Sequence, residues 1–433
     1  MLIDFSLFFF IFLFIFTYNS FVNKLLQYVS HASFFDFFFN FFICVLLLVI
    51  IFFEFNYIFF FFFNVYNFLF LLNFDDVFYY FYFDEVSQNS FLLSCFVSVF
   101  FFLILLLSKP ASIIRLALLH IILIIVISNL FIFSNSIFVI FICFELLLLV
   151  SLNLLKLTSK SERILEAVGE MFLWTLFGSF FLLLAFFIFF NFYNPYLDYF
   201  FYNSILSNML SFFFLIGFGV KIPIWPCLSW LLKAHVEASV EFSILLSGFI
   251  VKLGILGLIR VLDYFTNNDI LSILLCLSLL SIIDAVLRLF AQQDLKRIVA
   301  LTTIIEMNWL MICFLLGDSK SLFLANFLVI VHCFSTTSEF MLVECISKKF
   351  NTRDVWLIGS LWYNSPNLWY LSVVVILVTI GFPGTSIFFA KFVFLPNLLN
   401  YSFALFFFFF ISFLFFYTFI FHETVTPIMI WGV

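Results

Sequence analysis

Apolar runs long enough to cross a lipid bilayer follow one another along the whole of this chain, and nothing constrains its fold more. They lie at roughly 5–21, 34–54, 55–72, 91–107, 112–134, 136–157, 168–192, 205–237, 240–262, 270–290, 295–316, 321–346, 368–398 and 402–421. A run of about 18 apolar residues or more reads as a membrane-spanning helix. The second and third form either one bent element or a hairpin. The fold expected is therefore all-α, a polytopic membrane protein of about 13–14 transmembrane helices. With 66% of residues hydrophobic and only 10% charged, no water-soluble surface can be built. Short alternating apolar segments, the mark of a membrane barrel, are absent.

The 80 phenylalanines fit mutational pressure toward T-rich codons wherever lipid tolerates any apolar side chain, which points to an organelle-encoded gene. The opening "MLIDFSLFFFIFLFIFTY" has no basic leader and no small-residue cleavage site, so it reads as a retained first span. Cysteines at 44, 95, 143, 227, 276, 313, 333 and 345 form no CxxC and sit in apolar surroundings, as buried thiols do. No glycine-rich nucleotide loop is present, so a redox cofactor belongs on another chain. Basic residues cluster in every second loop: Lys109 and Arg115; Lys156, Lys160 and Arg163; Lys296 and Arg297; Lys348, Lys349 and Arg353. The positive-inside rule places these loops on one face, the matrix or cytoplasmic one. Arg260 is an exception near the opposite face.

Two spans are interrupted, one by Lys221-Ile-Pro-Ile-Trp-Pro226 and the other by Gly381-Phe-Pro-Gly384. Proline lacks a backbone donor and prevents the preceding turn from closing, so each helix breaks there. Corresponding broken spans in two halves of a chain mark inverted-repeat transporters, with the ion path near the breaks. The organisation expected is divergent helices over 1–110, a first antiporter-like repeat over 111–262, a second over 263–421, and a tail over 422–433.

Charge inside the spans is the second signal. Glu145 and Lys252 lie near the middle of theirs, about 14–18 Å deep in a core about 30 Å thick. "FICFELLLLV" gives Glu145 no local partner, and Lys221 at the first break is the natural one. A carboxylate moving toward or away from a buried lysine loads or releases a proton, whereas a fixed pair only holds two helices together. Beyond the break, Lys233 and Glu237 are spaced i,i+4 and can pair on a helix. His235 faces away from both, and its titration near neutrality suits a relay. His332, in "VIVHCFSTT", and Lys391, after the second break, extend a path Lys221, Lys252, His332, Lys391. Asp284, Glu306, Glu339 and Glu344 are further acids in or near spans that spacing does not assign.

"FGVKIPIWPCLSWLLKAHVEASVEFSILLSGFIVKLGILGLIR" resembles the signature of the chain 4 family of respiratory NADH:ubiquinone oxidoreductase (complex I), whose members are antiporter-like proton-pumping subunits. The resemblance extends through Glu145 with "SER" at 161–163, "LWTLFGS" at 173–179, "AQQDLKRIVALTT" at 291–303 and "HCFSTTSEF" at 332–340. "NTRD" at 351–354 and "GFPGTSIFFAKF" at 381–392 continue it. It covers roughly residues 84 to 398.

The resemblance implies that Glu145 and Lys221 are the modulating ion pair, Lys252 the central proton-transfer lysine, His332 the connecting histidine and Lys391 the exit residue. It implies a subunit of the mitochondrial inner membrane that carries no cofactor. NADH, flavin, iron–sulfur clusters and ubiquinone would sit on partner subunits. Its partners would be other membrane-arm subunits, especially the other antiporter-like chains, and lipids, with no nucleic acid. The sequence departs from the family at Leu228 and Glu306 (histidines expected), Ser239 (proline), Phe242 (glycine) and Glu339 (an apolar residue). Lys391 stands where this chain of the family has a glutamate and its sister chains a lysine. Two other readings fit the residues: a cation/proton antiporter subunit, and a structural membrane-arm chain with an inactive proton path.

Overall fold

Inside lipid only a helix can satisfy every backbone group within one segment, and each apolar run that the structure describes is helical. The computed structural model describes residues 85–106, 111–134, 137–159, 161–192, 204–261, 268–316, 319–358 and 365–401. The expected spans at 5–21, 34–54, 55–72 and 402–421 lie outside the described residues. The chain divides into two compact units, Met1–Asn73 and Phe74–Val433, and all described residues belong to the second.

The helices are α1 (Glu85–Leu106), α2 (Ala111–Phe133), α3 (Ile137–Thr158), α4 (Ile164–Phe192), α5 (Ser204–Lys221) and α6 (Ser229–Glu237). They continue with α7 (Val240–Val261), α8 (Asn268–Leu289), α9 (Leu295–Leu316), α10 (Ser319–Phe350), α11 (Pro366–Ile380) and α12 (Ser386–Tyr401). Seven of these are long and apolar enough to cross a membrane. The expected spans 205–237 and 368–398 are each split in two, as the prolines require.

Burial sorts the helices. The apolar stretch of α9 is 100% buried and that of α7 94%, against 33% for α4 and α8. The two helices richest in interior charge are thus wrapped by the others, while α4 and α8 present outward faces suited to lipid. Cys276, on α8, is exposed, unlike the buried Cys95, Cys143, Cys313 and Cys333. Its face of α8 is apolar because lipid, not protein, is its solvent.

α7 packs on α1, α5 and α10. Its middle, Leu246–Ile250, is a π turn, a local widening often found at functional sites. Gly248 in that turn makes the packing possible. A Cβ there would lie 2.9 Å from Ser98 Cβ and 3.3 Å from Cys333 Sγ, so only glycine lets α7 approach α1 and α10 this closely.

The predicted common face of the basic loops is visible where the loops are described. Ser239 N donates to Ser159 Oγ, Lys296 Nζ to the Ala238 carbonyl, and Arg353 Nη1 to the Val236 carbonyl. Leu295 N donates to Arg353 O and Val355 N to Gln293 O, joining the 293–295 and 353–355 segments. Arg260 also finds its explanation. It is buried and donates to the carbonyls of Phe131, Ile132 and Ser134, the orphan acceptors at the end of α2. Its charge caps a helix rather than facing a membrane surface.

Candidate functional site

The first break occupies the turns between α5 and α6. Its freed carbonyls are met by side chains: Trp230 Nε1 donates to Val220 O at 2.9 Å and Asn308 Nδ2 to Pro223 O at 3.3 Å. Breaking the helix therefore leaves few unpaired backbone groups, and Lys221 is held at the last turn of α5. At the second break Gly381 takes φ 78, a left-handed conformation that favours glycine. Gly381 N and Phe382 N donate back to Val378 O and Leu377 O, closing α11. Thr385 Oγ1 then accepts from Phe388 N at 3.3 Å and starts α12, which carries Lys391.

Lys221 is 4% exposed and its Nζ lies 3.7 Å above the centroid of the Phe144 ring, a cation–π contact. Glu145, next to Phe144 on α3, shares its electrostatic environment with Lys221. No direct ion pair closes between them: Lys221 Nζ and Glu145 Oε1 have no hydrogen-bond partner among the described residues. The carboxylate and ammonium are electrostatic neighbours without a direct bond, an arrangement in which a small displacement changes their coupling.

Lys252 is completely buried in α7, one turn past Gly248. Its Nζ donates to Gly248 O at 2.8 Å and to Val329 O on α10 at 3.0 Å, and no carboxylate among the described residues bonds to it. A neutral lysine amine keeps two N–H donors and an ammonium three. Both hydrogen bonds therefore survive loss of a proton, so this cradle holds either protonation state without rearrangement.

His332, three residues after Val329 on α9's neighbour α10, is 2% exposed, and neither ring nitrogen bonds to the described residues. The charges of Lys252 and Lys391 both act on it. Lys391 Nζ donates to Glu306 Oε1 on α9 at 2.5 Å, with side chains 2% and 8% exposed. Trp309 also faces the ammonium, at 5.7 Å. Glu306 and Lys391 are thus each other's counter-charge across α9 and α12. Glu339 is buried beside them, and Thr302 Oγ1 lies 3.0 Å from its Oε2.

The supporting residues are arranged differently from what local spacing predicts. Lys233 pairs with Glu166 and Glu170 of α4, not with Glu237. The i,i+4 geometry is available on α6, but α4 packs alongside it and offers two carboxylates. These are half-exposed bonds at the basic end of the bundle, worth little in screened solvent. His235 is fully buried with its ring stacked on Phe340 at 5.2 Å.

Lys296 was read from the sequence only as one of a pair of loop cations. It is fully buried at the start of α9, and its charge acts on His235. The signal was helical phase: Lys296 shares a face with Val299 and Ala300, both buried, while Arg297 points outward.

Comparison with known proteins agrees with this architecture. Residues 134–418 match the family described as NADH:quinone oxidoreductase/Mrp antiporter, TM. NADH-ubiquinone oxidoreductase chain 4 of Paramecium tetraurelia is 32% identical over 266 residues, 60% of this chain and 56% of that protein. NADH-quinone oxidoreductase subunit M of Escherichia coli (strain K12) is 31% identical over 196 residues, 45% of this chain and 38% of that one. The chain thus matches about half the length of such relatives or less. Among solved structures, a chain of respiratory complex I from Thermus thermophilus with bound NADH superimposes with a TM-score of 0.69 at 21% identity. It covers 80% of this chain and 74% of that one. A chain of the membrane-bound sulfane sulfur reductase, an archaeal respiratory membrane complex, gives 0.71 at 17% identity, covering 80% and 73%. This chain shares its fold with these two solved chains.

Proposed function

The chain belongs to the NADH:quinone oxidoreductase/Mrp antiporter transmembrane family, and from that premise we propose that it is a proton-translocating membrane-arm subunit of mitochondrial complex I. Oxidation of NADH and reduction of ubiquinone would take place on partner subunits. Protons would pass here along Glu145/Lys221, Lys252, His332 and Lys391, with His235, Lys233 and Glu237 at the basic end in support. The two repeats at 111–262 and 263–421 would each contribute one broken helix to that path.

The observation that carries the reading is the cradle of Lys252. A lysine buried at mid-membrane is expensive to keep unless it has work to do, and both carbonyl bonds are available to it with or without its extra proton. Moving one elementary charge against 100 mV requires about 2.3 kcal/mol. A change in the coupling of Glu145 to Lys221 of about two tenfold steps in proton affinity matches that.

The family also includes Mrp antiporters, and a cation/proton antiporter subunit would use the same buried lysines. Partnership separates the two. On a native gel of mildly solubilised mitochondrial membranes stained for NADH oxidation, the chain should comigrate with the NADH-oxidising band, as read by mass spectrometry. Migration apart from that activity would overturn the complex I reading and favour the antiporter.

A further inference from the structure

We propose that Glu339 is a proton-carrying residue through which protons from the basic end of the bundle reach the Glu306–Lys391 pair. This rests on the proton-translocating reading above and adds a branch that enters the path beyond Lys252.

Position is the first argument. α9 begins and α10 ends at the basic end, where the segments 293–295 and 353–355 bond to each other. Thr302 lies seven residues into α9 and Glu306 eleven, about 10 Å and 16 Å along the axis at the standard rise. Glu339, in contact with Thr302, therefore stands between that end and the Glu306–Lys391 pair. His332 is on the same helix as Glu339, seven residues away, and so on the same face. Its buried nitrogens, without a hydrogen-bond partner among the described residues, feel the charge of Lys391, and Glu306 and Lys391 in turn act on Glu339. The acid is part of the buried string, not an isolated surface group.

Hydrogen-bond accounting is the second argument. Thr302 Oγ1 is 2.8 Å from Val299 O and 3.0 Å from Glu339 Oε2. A threonine hydroxyl has one proton and can accept another bond. If Glu339 carries a proton on Oε2, it donates to Thr302 while Thr302 donates to Val299, and both contacts are satisfied at once. A carboxylate would have to share the hydroxyl's single proton with the carbonyl. The geometry fits a stored proton.

The step balances with one proton. Glu339 passes its proton to Glu306, which becomes a neutral acid while Glu339 becomes a carboxylate. The direct ion pair opens as the negative charge passes to Glu339, so the Lys391 ammonium is held less tightly and releases a proton onward. Glu306 then gives its proton to the Lys391 amine, which restores the ion pair. A proton from the basic end returns to Glu339. Net, one proton has moved from the basic face past Lys391, and no bond other than those to hydrogen has changed.

The test uses the assembled complex carrying Glu339→Gln, with Lys252→Met as a reference. Infrared spectra in H2O and D2O should show a deuterium-sensitive carbonyl band of a protonated carboxylic acid that Glu339→Gln removes. The proton-to-electron ratio should fall as in Lys252→Met, with uncoupled NADH oxidation unchanged, and Glu339→Asp should restore most of it. A ratio that falls in Lys252→Met but not in Glu339→Gln overturns the branch and leaves the translocation reading standing. A ratio unchanged in both overturns the two together. If Glu339→Gln does not assemble, Thr302→Val should shift the same infrared band, and a band that stays in place overturns the proposal.

Discussion

Lys252→Met should abolish or sharply reduce proton movement through this chain while NADH oxidation in uncoupled membranes continues. Methionine matches the lysine stem in length and apolarity, so the packing of α7 against α1 and α10 has no reason to change. The lost atom is Nζ, the only group of this side chain that can hold a proton. Gly248 O and Val329 O would each lose a donor. Both carbonyls lie within helices and keep a backbone partner there, so the loss costs little stability, and it supplies no substitute proton carrier. Proton translocation measured in sealed vesicles, against NADH consumed, checks the result. A normal ratio with a fully assembled complex would remove Lys252 from the path.

The second large effect is on stability. Lys391→Met leaves the Glu306 carboxylate in a site 8% exposed with its cation gone. Removing one partner of a buried pair typically costs about 3–5 kcal/mol, because an uncompensated charge remains in a medium of low polarity. Glu306→Gln makes the converse error and strands the ammonium. The double variant removes both charges and should recover much of the loss, since well-packed uncharged replacements of buried pairs are often near neutral. The amount of chain in the assembled complex and the midpoint of its thermal unfolding in detergent measure this. Single and double variants that are equally stable would mean that the pair contributes nothing to the fold. The double variant should nonetheless pump poorly, because stability and proton transfer draw on different properties of the same lysine.

What could be read from the sequence follows from the solvent. In lipid, an apolar run and its helix are nearly the same statement, so α1–α4 and α8–α10 begin and end within a few residues of the expected spans. The breaks were legible because Pro223, Pro226, Gly381 and Pro383 act on the backbone locally. Glu145, Lys221, Lys252, His332 and Lys391 stood out because charge inside such a run is costly wherever it occurs.

Pairings were not legible, because they depend on which helices meet. Lys391 finds Glu306 eighty-five residues earlier. Local spacing offered Lys233 a partner in Glu237, and the packing of α4 on α6 supplied Glu166 and Glu170 instead. Arg260 looked like a misplaced surface charge until the end of α2 was seen to need a donor. Lys296 looked like a loop residue because one residue of helical phase decides whether a cation faces in or out. The π turn before Lys252 has no sequence mark beyond Gly248, whose role depends on Ser98 and Cys333 of other helices.

The central claim is that Lys221 and Lys252 act in series on the way to Lys391. The most direct measurement is the proton-to-electron ratio in sealed vesicles for Lys221→Met, Lys252→Met and the double variant, each assembled and oxidising NADH. A series path is blocked by the loss of any link, so the two single variants should lose the same share and the double variant no more than either. Losses that add, or a ratio that none of the three changes, would contradict it.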